Sequence, residues 1–199
     1  MINIAVLVSG GGTNLQALID ASAAGKIEHG AIKLVLSSND AAYALTRAKN
    51  ANIKTEVLKR KDFESTGDYG DALVSLLREN EIDVVVLAGF MTILGENVID
   101  AFENRIINVH PSLIPSFCGK GYYGLRVHEE ALRRGVKITG ATVHFVNSEC
   151  DGGPIIAQKA VEVLEGDTPE VLQKRVMENA EWILLPQAVA KVCEELDEV

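Results

Sequence analysis

The chain is poor in the residues that build covalent or metal-held scaffolds. Its three cysteines, Cys118, Cys150 and Cys193, are odd in number and form no CxxC pair. Neither a disulfide framework nor a zinc knuckle is expected, and a reducing cytoplasmic setting is. Positive charge is also scarce: 19 Lys and Arg against 28 Asp and Glu leave a formal charge of −9. That balance disfavours bulk nucleic-acid binding or docking on an anionic membrane, while leaving room for a local basic patch. No apolar run approaches the roughly 20 residues of a membrane span. The N-terminus lacks the charged flank, apolar core and cleavage site of a signal peptide. The four scattered histidines include no HExxH or His-x-His arrangement, so no metal is expected. No Gly-x-Ser-x-Gly elbow supports a serine hydrolase, and there is no internal repeat, low-complexity segment or linker. What is present is a chain of 199 residues, 47% apolar, which is enough for one domain with a substantial core.

Residues 2–8 form an apolar run that leads into Ser9-Gly10-Gly11-Gly12-Thr13-Asn14, then a helical pattern with Leu15, Leu18 and Ile19 on one face. Strand, glycine turn and helix in that order open a βαβ unit. Further strands are expected at 32–36 and 54–58, helices at 41–50 and 71–80, and a polar loop at 59–70. Residues 84–88 are apolar throughout, the mark of a strand buried on both faces. Gly89 breaks that run, a short helix follows, and a second apolar strand at 105–109 ends in Asn108-Val109-His110-Pro111. Residues 116–124 read as a glycine-rich loop, and 125–134 as an amphipathic helix closed by Gly135. The β-branched runs 139–146 and 155–163 flank a polar turn, which predicts antiparallel strands added to a parallel sheet. Thr168-Pro169-Glu170 starts a C-terminal helix, with a bend expected at Pro186 and an acidic tail. The expected fold is α/β: a Rossmann-like, doubly wound, mostly parallel sheet with an antiparallel C-terminal extension, in a single domain over 1–199.

Three pieces carry chemistry. The glycine turn follows a strand and opens a helix, so its backbone N–H groups and the helix dipole can hold a phosphate. It is neither G-x-G-x-x-G nor a Walker A loop, which favours a phosphate monoester over a dinucleotide or nucleoside triphosphate. Asn108 and His110 lie two apart, on one side of an extended chain, where an open α/β sheet presents its ligand crevice. A neutral amide donor beside an imidazole can stabilise an oxyanion growing on a carbonyl. Asp151, in the turn Cys150-Asp151-Gly152-Gly153-Pro154, is a candidate to keep His110 protonated or to move protons. His144 lies mid-strand among apolar neighbours and suits a core histidine as well as a ligand. His128 and His29 are assigned no catalytic role.

The stretches SGGGTNLQALID, VVVLAGFMTIL, INVHPSLIPSF, GATVHFV and DGGPII, in this order and spacing, resemble the phosphoribosylglycinamide formyltransferases of purine biosynthesis over nearly the whole chain. The resemblance implies formyl transfer from 10-formyltetrahydrofolate to the amine of glycinamide ribonucleotide, without a metal or a covalent enzyme intermediate. It implies a ribonucleotide-binding half at about 1–100 and a folate-binding, catalytic half at about 101–199. Asn108, His110 and Asp151 would be catalytic. Gly11, Gly12, Thr13, Asn14, Pro111 and Glu181 would bind the ribonucleotide. Leu87, Met91, Thr92, Ile93, Leu94, Asn108 and Val146 would bind the folate, with the 147–151 loop closing over it. The implied partners are small molecules, with no nucleic acid or membrane, and the protein would act as a monomer or homodimer.

The chain departs from the pattern at two positions that carry basic residues in many relatives, here Thr92 and Thr66. Arg60 and Lys61 are the candidates to compensate at Thr66, and Tyr122 and Tyr123 in the longer 118–124 loop form a candidate lid. Starting on its first strand and ending in an acidic helix, the chain is expected to lack the N-terminal regulatory domain of formyltetrahydrofolate hydrolases. The C-terminal barrel of methionyl-tRNA formyltransferases is likewise not expected. A non-catalytic phosphate-binding module would explain the glycine turn and leave Asn108, His110 and Asp151 without a reason.

Overall fold

Seven strands form one sheet in the computed structural model, which describes residues 1–198. They are β1 (Ile2–Val8), β2 (Gly30–Ser37), β3 (Lys54–Val57), β4 (Val84–Leu87), β5 (Ile106–His110), β6 (Ile138–Phe145) and β7 (Ile155–Glu162), in the order β3-β2-β1-β4-β5-β6-β7. The first five run parallel, and β6 and β7 are antiparallel additions. Val84, Val85 and Val86 are fully buried because helices cover both faces, which is why their sequence shows no polar alternation.

On one face, α1 (Thr13–Ala23), α6 (Pro169–Val176) and α7 (Trp182–Asp197) pack Leu15, Leu18, Leu172 and Leu185 against Val6, Val35 and Val86. On the other, α3 (Thr66–Glu79) and α4 (Glu96–Ala101) pack Tyr69, Leu73, Leu77 and Val98 against Ala5, Leu7 and Val85. Helix α2 (Tyr43–Asn50) lies beside α1, and α5 (Leu125–Arg134) lies beside α6. The strand order runs outward from β1 in one direction and from β4 in the other. A crevice therefore opens above their carboxyl ends, where the connections diverge.

Most element boundaries fall within a residue or two of the sequence reading, and two expectations are corrected. Residues 59–70 are not a loop throughout: Arg60–Asp62 is a 3-10 turn, and α3 begins at Thr66. The reason is a capping box. Ser65 Oγ accepts from the Asp68 N–H at 3.0 Å, and the Asp68 carboxylate accepts from the Ser65 N–H at 3.1 Å. Gly70, which reads as a helix breaker, marks a close approach instead, since a Cβ there would collide with the Asn97 amide of α4. The C-terminal helix is interrupted before Pro186. Met177–Glu181 forms a π-helical turn just ahead of Trp182, the residue whose carbonyl the proline ring would crowd.

Candidate active site

The glycine turn is held from behind. Gly10 O accepts from the Ala44 N–H at 3.1 Å, Gly11 O from Arg47 Nε–H at 2.8 Å, and Gly12 O from the Gln16 N–H at 2.9 Å. A trans peptide points its N–H opposite its carbonyl. The N–H groups of Gly11, Gly12 and Thr13 therefore face away from these partners, and among the described residues none of the three donates to a protein acceptor. Gly12 adopts φ 73, and a Cβ on it would lie 2.6 Å from Ala44 Cβ, so glycine is required there. With the free N-terminus of α1 alongside, these donors form an anion-binding concavity.

Asn108 and His110 project from the β5 face that carries Ile106, while Ile107 and Val109 enter the opposite core layer. Antiparallel pairing sets Asn108 opposite His144 and His110 opposite Thr142, which places all four side chains on one face. The β6–β7 turn then carries Asp151 over them. His110 Nε2–H donates to Phe117 O at 2.8 Å, and its Nδ1 lies 3.6 Å from Asp151 Oδ2. Both ring nitrogens thus face acceptors, an arrangement that two N–H donors satisfy. Asp151 also accepts from the Gly119 N–H at 2.9 Å. Burial alone would raise the Asp151 carboxyl. The His144 ring, the His110 charge and the Gly119 N–H outweigh it and hold the group below its usual value.

His144, left unassigned by the sequence, is the fourth member of this cluster. Its Nδ1–H donates to Phe145 O at 2.8 Å. Its Nε2 lies 3.2 Å from Asn108 Nδ2 and 3.6 Å from Asp151 Oδ1. A neutral ring takes an amide hydrogen from Asn108 and leaves the second one free, whereas a protonated ring turns to Asp151. What decides between core histidine and ligand for His144 is β-sheet register: it has the parity of Thr142 and faces Asn108 once β6 is paired with β5.

Glu181 sits in the π-helical turn, 6% exposed, and accepts from Asn14 Nδ2 at 2.7 Å. Burial pushes its carboxyl above the usual value, and the Asn14 hydrogen bond only partly offsets this. Glu181 therefore borders the glycine cradle. No hydrogen bond or ion pair among the described residues joins this group to the Asp151 cluster. β1, which leads into the cradle, and β5, which carries Asn108 and His110, have only β4 between them, so the two strands lie roughly 10 Å apart.

The residues expected at the folate divide. Leu87 and Leu94, 8% and 9% exposed, share an apolar cluster with Phe90 and Val146, whereas Met91 and Ile93 are exposed. Thr92 is half-buried, as is Pro111, which follows His110 directly. The Met91 N–H donates to Ser9 Oγ at 2.9 Å, tying this segment to the start of the glycine turn. At the departure noted for Thr66, it is Arg60 rather than Lys61 that reaches the position, with Nη2 3.2 Å from Thr66 Oγ1. In the 116–124 loop, Tyr122 packs near Phe117 and Tyr123 is exposed. A cavity of about 470 Å³ lies between α1 and α7, lined by Thr13, Gln16, Arg47 and Trp182. Another of about 430 Å³ is lined by Phe117, Tyr122, Glu130 and Arg133. Neither includes Asn108, His110 or Asp151.

Known proteins share the sequence and fold of this chain. The formyl transferase family model matches residues 2–189. The chain is 40% identical over 189 residues to phosphoribosylglycinamide formyltransferase of Escherichia coli K12, covering 95% of this chain and 86% of that one. It is 39% identical over 192 residues to the chloroplastic phosphoribosylglycinamide formyltransferase of Arabidopsis thaliana, covering 96% of this chain but only 65% of the plant protein's length. The crystal structure of glycinamide ribonucleotide transformylase 1 from Symbiobacterium toebii superposes with a TM-score of 0.92 at 42% identity, covering 98% of this chain and 89% of that one. With a family match over nearly its full length, and a carboxyl-edge site built as described, the chain belongs to the formyl transferase family.

Proposed function

We propose that the chain transfers the formyl group of 10-formyltetrahydrofolate to the primary amine of phosphoribosylglycinamide, with release of tetrahydrofolate. The observation that carries this reading is the convergence of Asn108, His110, His144 and Asp151 at the sheet edge that also holds the donor cradle at Gly11–Thr13. The names of the relatives point the same way.

In this mechanism the amine nitrogen attacks the formyl carbon, and the carbonyl electrons move onto oxygen. The free amide hydrogen of Asn108 and the Nδ1–H of protonated His110 stabilise that oxyanion. The ionised Asp151 carboxylate sustains the charge on His110 and takes the proton shed by the attacking nitrogen. Collapse of the tetrahedral species breaks the bond to folate N10, which receives a proton as it leaves. The steps use side-chain and backbone donors and call on no metal. The cradle anchors the acceptor's phosphate, and Glu181 receives its glycinamide amine, with Pro111 against the same ligand. The folate lies against Leu87, Val146 and the 91–94 segment.

This reading assigns the ribonucleotide to about residues 1–100 and the folate and chemistry to about 101–199. It makes the chain's partners small molecules, in a cytoplasmic monomer or homodimer. No helix among the described residues is long and apolar enough to cross a membrane. The test is formyl transfer by the purified chain from 10-formyltetrahydrofolate, with phosphoribosylglycinamide or water as acceptor. Ribonucleotide-dependent formation of tetrahydrofolate is expected. Folate release to water alone would mark a hydrolase, and no turnover with either acceptor would mark a binding module.

A further inference from the structure

We infer that Arg47 is a positioning residue for the phosphate of the acceptor: it fixes the orientation of the glycine cradle without touching the ligand. The inference rests on the reading of Gly11–Thr13 as a phosphate site. Arg47 lies on α2, an element that contributes no group to the proposed chemistry. Its guanidinium is nonetheless committed at three points. Nε–H donates to Gly11 O at 2.8 Å, Nη1–H donates to Gln16 Oε1 at 3.0 Å, and the group stacks 5.1 Å from the centre of the Tyr43 ring. No carboxylate pairs with it among the described residues, so its positive charge stands uncompensated behind the cradle.

The consequence follows from peptide geometry. The Gly11–Gly12 peptide is free of side chains, and its carbonyl and N–H point in opposite directions. Anchoring the carbonyl on Arg47 aims the Gly12 N–H outward. The neighbouring peptide is aimed the same way by the Ala44 N–H, one helical turn earlier on α2. Released from Arg47, the Gly11–Gly12 peptide is free to rotate and to offer the anion a carbonyl oxygen in place of a donor. Lysine keeps the charge but lacks the planar fork that serves Gly11 and Gln16 together.

The experiment compares wild type, Arg47→Lys and Gln16→Leu in the full chain, with phosphoribosylglycinamide and with its dephosphorylated riboside as acceptors. In Arg47→Lys the ratio of kcat/KM for phosphorylated over dephosphorylated acceptor is expected to fall about tenfold. That factor matches the loss of one hydrogen bond from a charged donor, and it should appear in KM rather than kcat. The Kd for ribose 5-phosphate, measured by calorimetry, should rise by a similar factor. Gln16→Leu, which removes the second anchor of the guanidinium, should move both quantities in the same direction by a smaller factor, and it serves as the reading variant if Arg47→Lys does not fold. Equal losses with both acceptors, or an unchanged Kd for ribose 5-phosphate, would overturn the inference. Absence of formyl transfer in the wild type would count against the functional reading alone, because ribose 5-phosphate binding still reports on the cradle.

Discussion

Asn14 and Glu181, 167 residues apart in sequence, share a hydrogen bond of 2.7 Å that ties α1 to the π-helical turn. The acid is buried and its carboxyl is pushed above the usual value. A raised carboxyl contributes most below the value of the unfolded chain and loses that contribution as pH climbs through the native one. Glu181→Gln removes this liability while preserving an acceptor for Asn14. The variant should melt about 2–4 °C higher near neutral pH, the equivalent of about 1 kcal/mol for a domain of this size. The gain should shrink toward pH 4. Its kcat/KM for the ribonucleotide should fall at least about tenfold. A lower melting temperature, or unchanged kcat/KM, would remove Glu181 from the role given to it.

Asp151 supplies a sharper test of the chemistry. Asp151→Asn is expected to slow turnover at least about a hundredfold, the usual size of an acid–base contribution, with folate affinity nearly intact. A near wild-type rate would take this carboxylate out of the mechanism.

The acid limb of the pH–rate profile has a second origin. Because the Asp151 carboxyl is held below its ordinary value of 3.8, it stays ionised throughout the range above about pH 4. A loss of rate as pH falls toward 5 therefore has a source other than this carboxyl, and the acceptor supplies one: its amine must be neutral to attack, and the α-amino reference value is about 7.7–8.0. The rate should fall as pH drops below that range, and Asp151→Asn should show the same limb at lower amplitude. A profile flat down to pH 5, or a limb abolished by the substitution, would contradict this assignment.

Gly12 and Gly10 make a contrast within one turn. Gly12 has a positive φ and would place a Cβ 2.6 Å from Ala44 Cβ, whereas Gly10 has no heavy atom within 4 Å of such a Cβ. Gly12→Ala should cost about 1–3 kcal/mol of stability and weaken phosphate binding at least tenfold. Gly10→Ala should leave melting within about a degree of wild type. Calorimetric melting and ribose 5-phosphate titration of the pair decide it.

His128 is buried on α5 with neither ring nitrogen partnered among the described residues, and burial, with a smaller push from His110, lowers its pKa to about 4. The unfolded chain takes up this proton first as pH falls. Stability should therefore decline between about pH 6.5 and 4, by about 3 kcal/mol in total. His128→Leu should flatten that part of the stability curve in urea titrations. An unchanged acid dependence would place the sensitivity elsewhere.

The sequence made the strands and the donor cradle legible because both are local: a buried run, three glycines and a helix start are adjacent in the chain. Asn108 and His110 were visible for the same reason, being two residues apart on one strand. Asp151 needed a partner to be distinguished from an ordinary turn residue. His144 stayed open between a core histidine and a ligand because its significance comes from a pairing partner 36 residues earlier, and no local period encodes that register. The start of α3 was obscured by glycines at 67 and 70, whose effect the Ser65–Asp68 capping box overrides. The interruption at Met177–Glu181 left no sequence signal apart from Pro186, which marks its neighbourhood and not its place.

The antiparallel graft of β6 onto β5 sets a rule for how the chain can change length. A single residue added or removed between Thr139 and His144 would reverse the facing of every side chain beyond it and turn the His144 imidazole into the apolar layer of Val109 and Val143. The 118–124 loop meets the site mainly through backbone groups and carries no such phase. Size variation among descendants of this sequence should collect there, while the span from Asn108 to Asp151 keeps its β6 segment fixed in number.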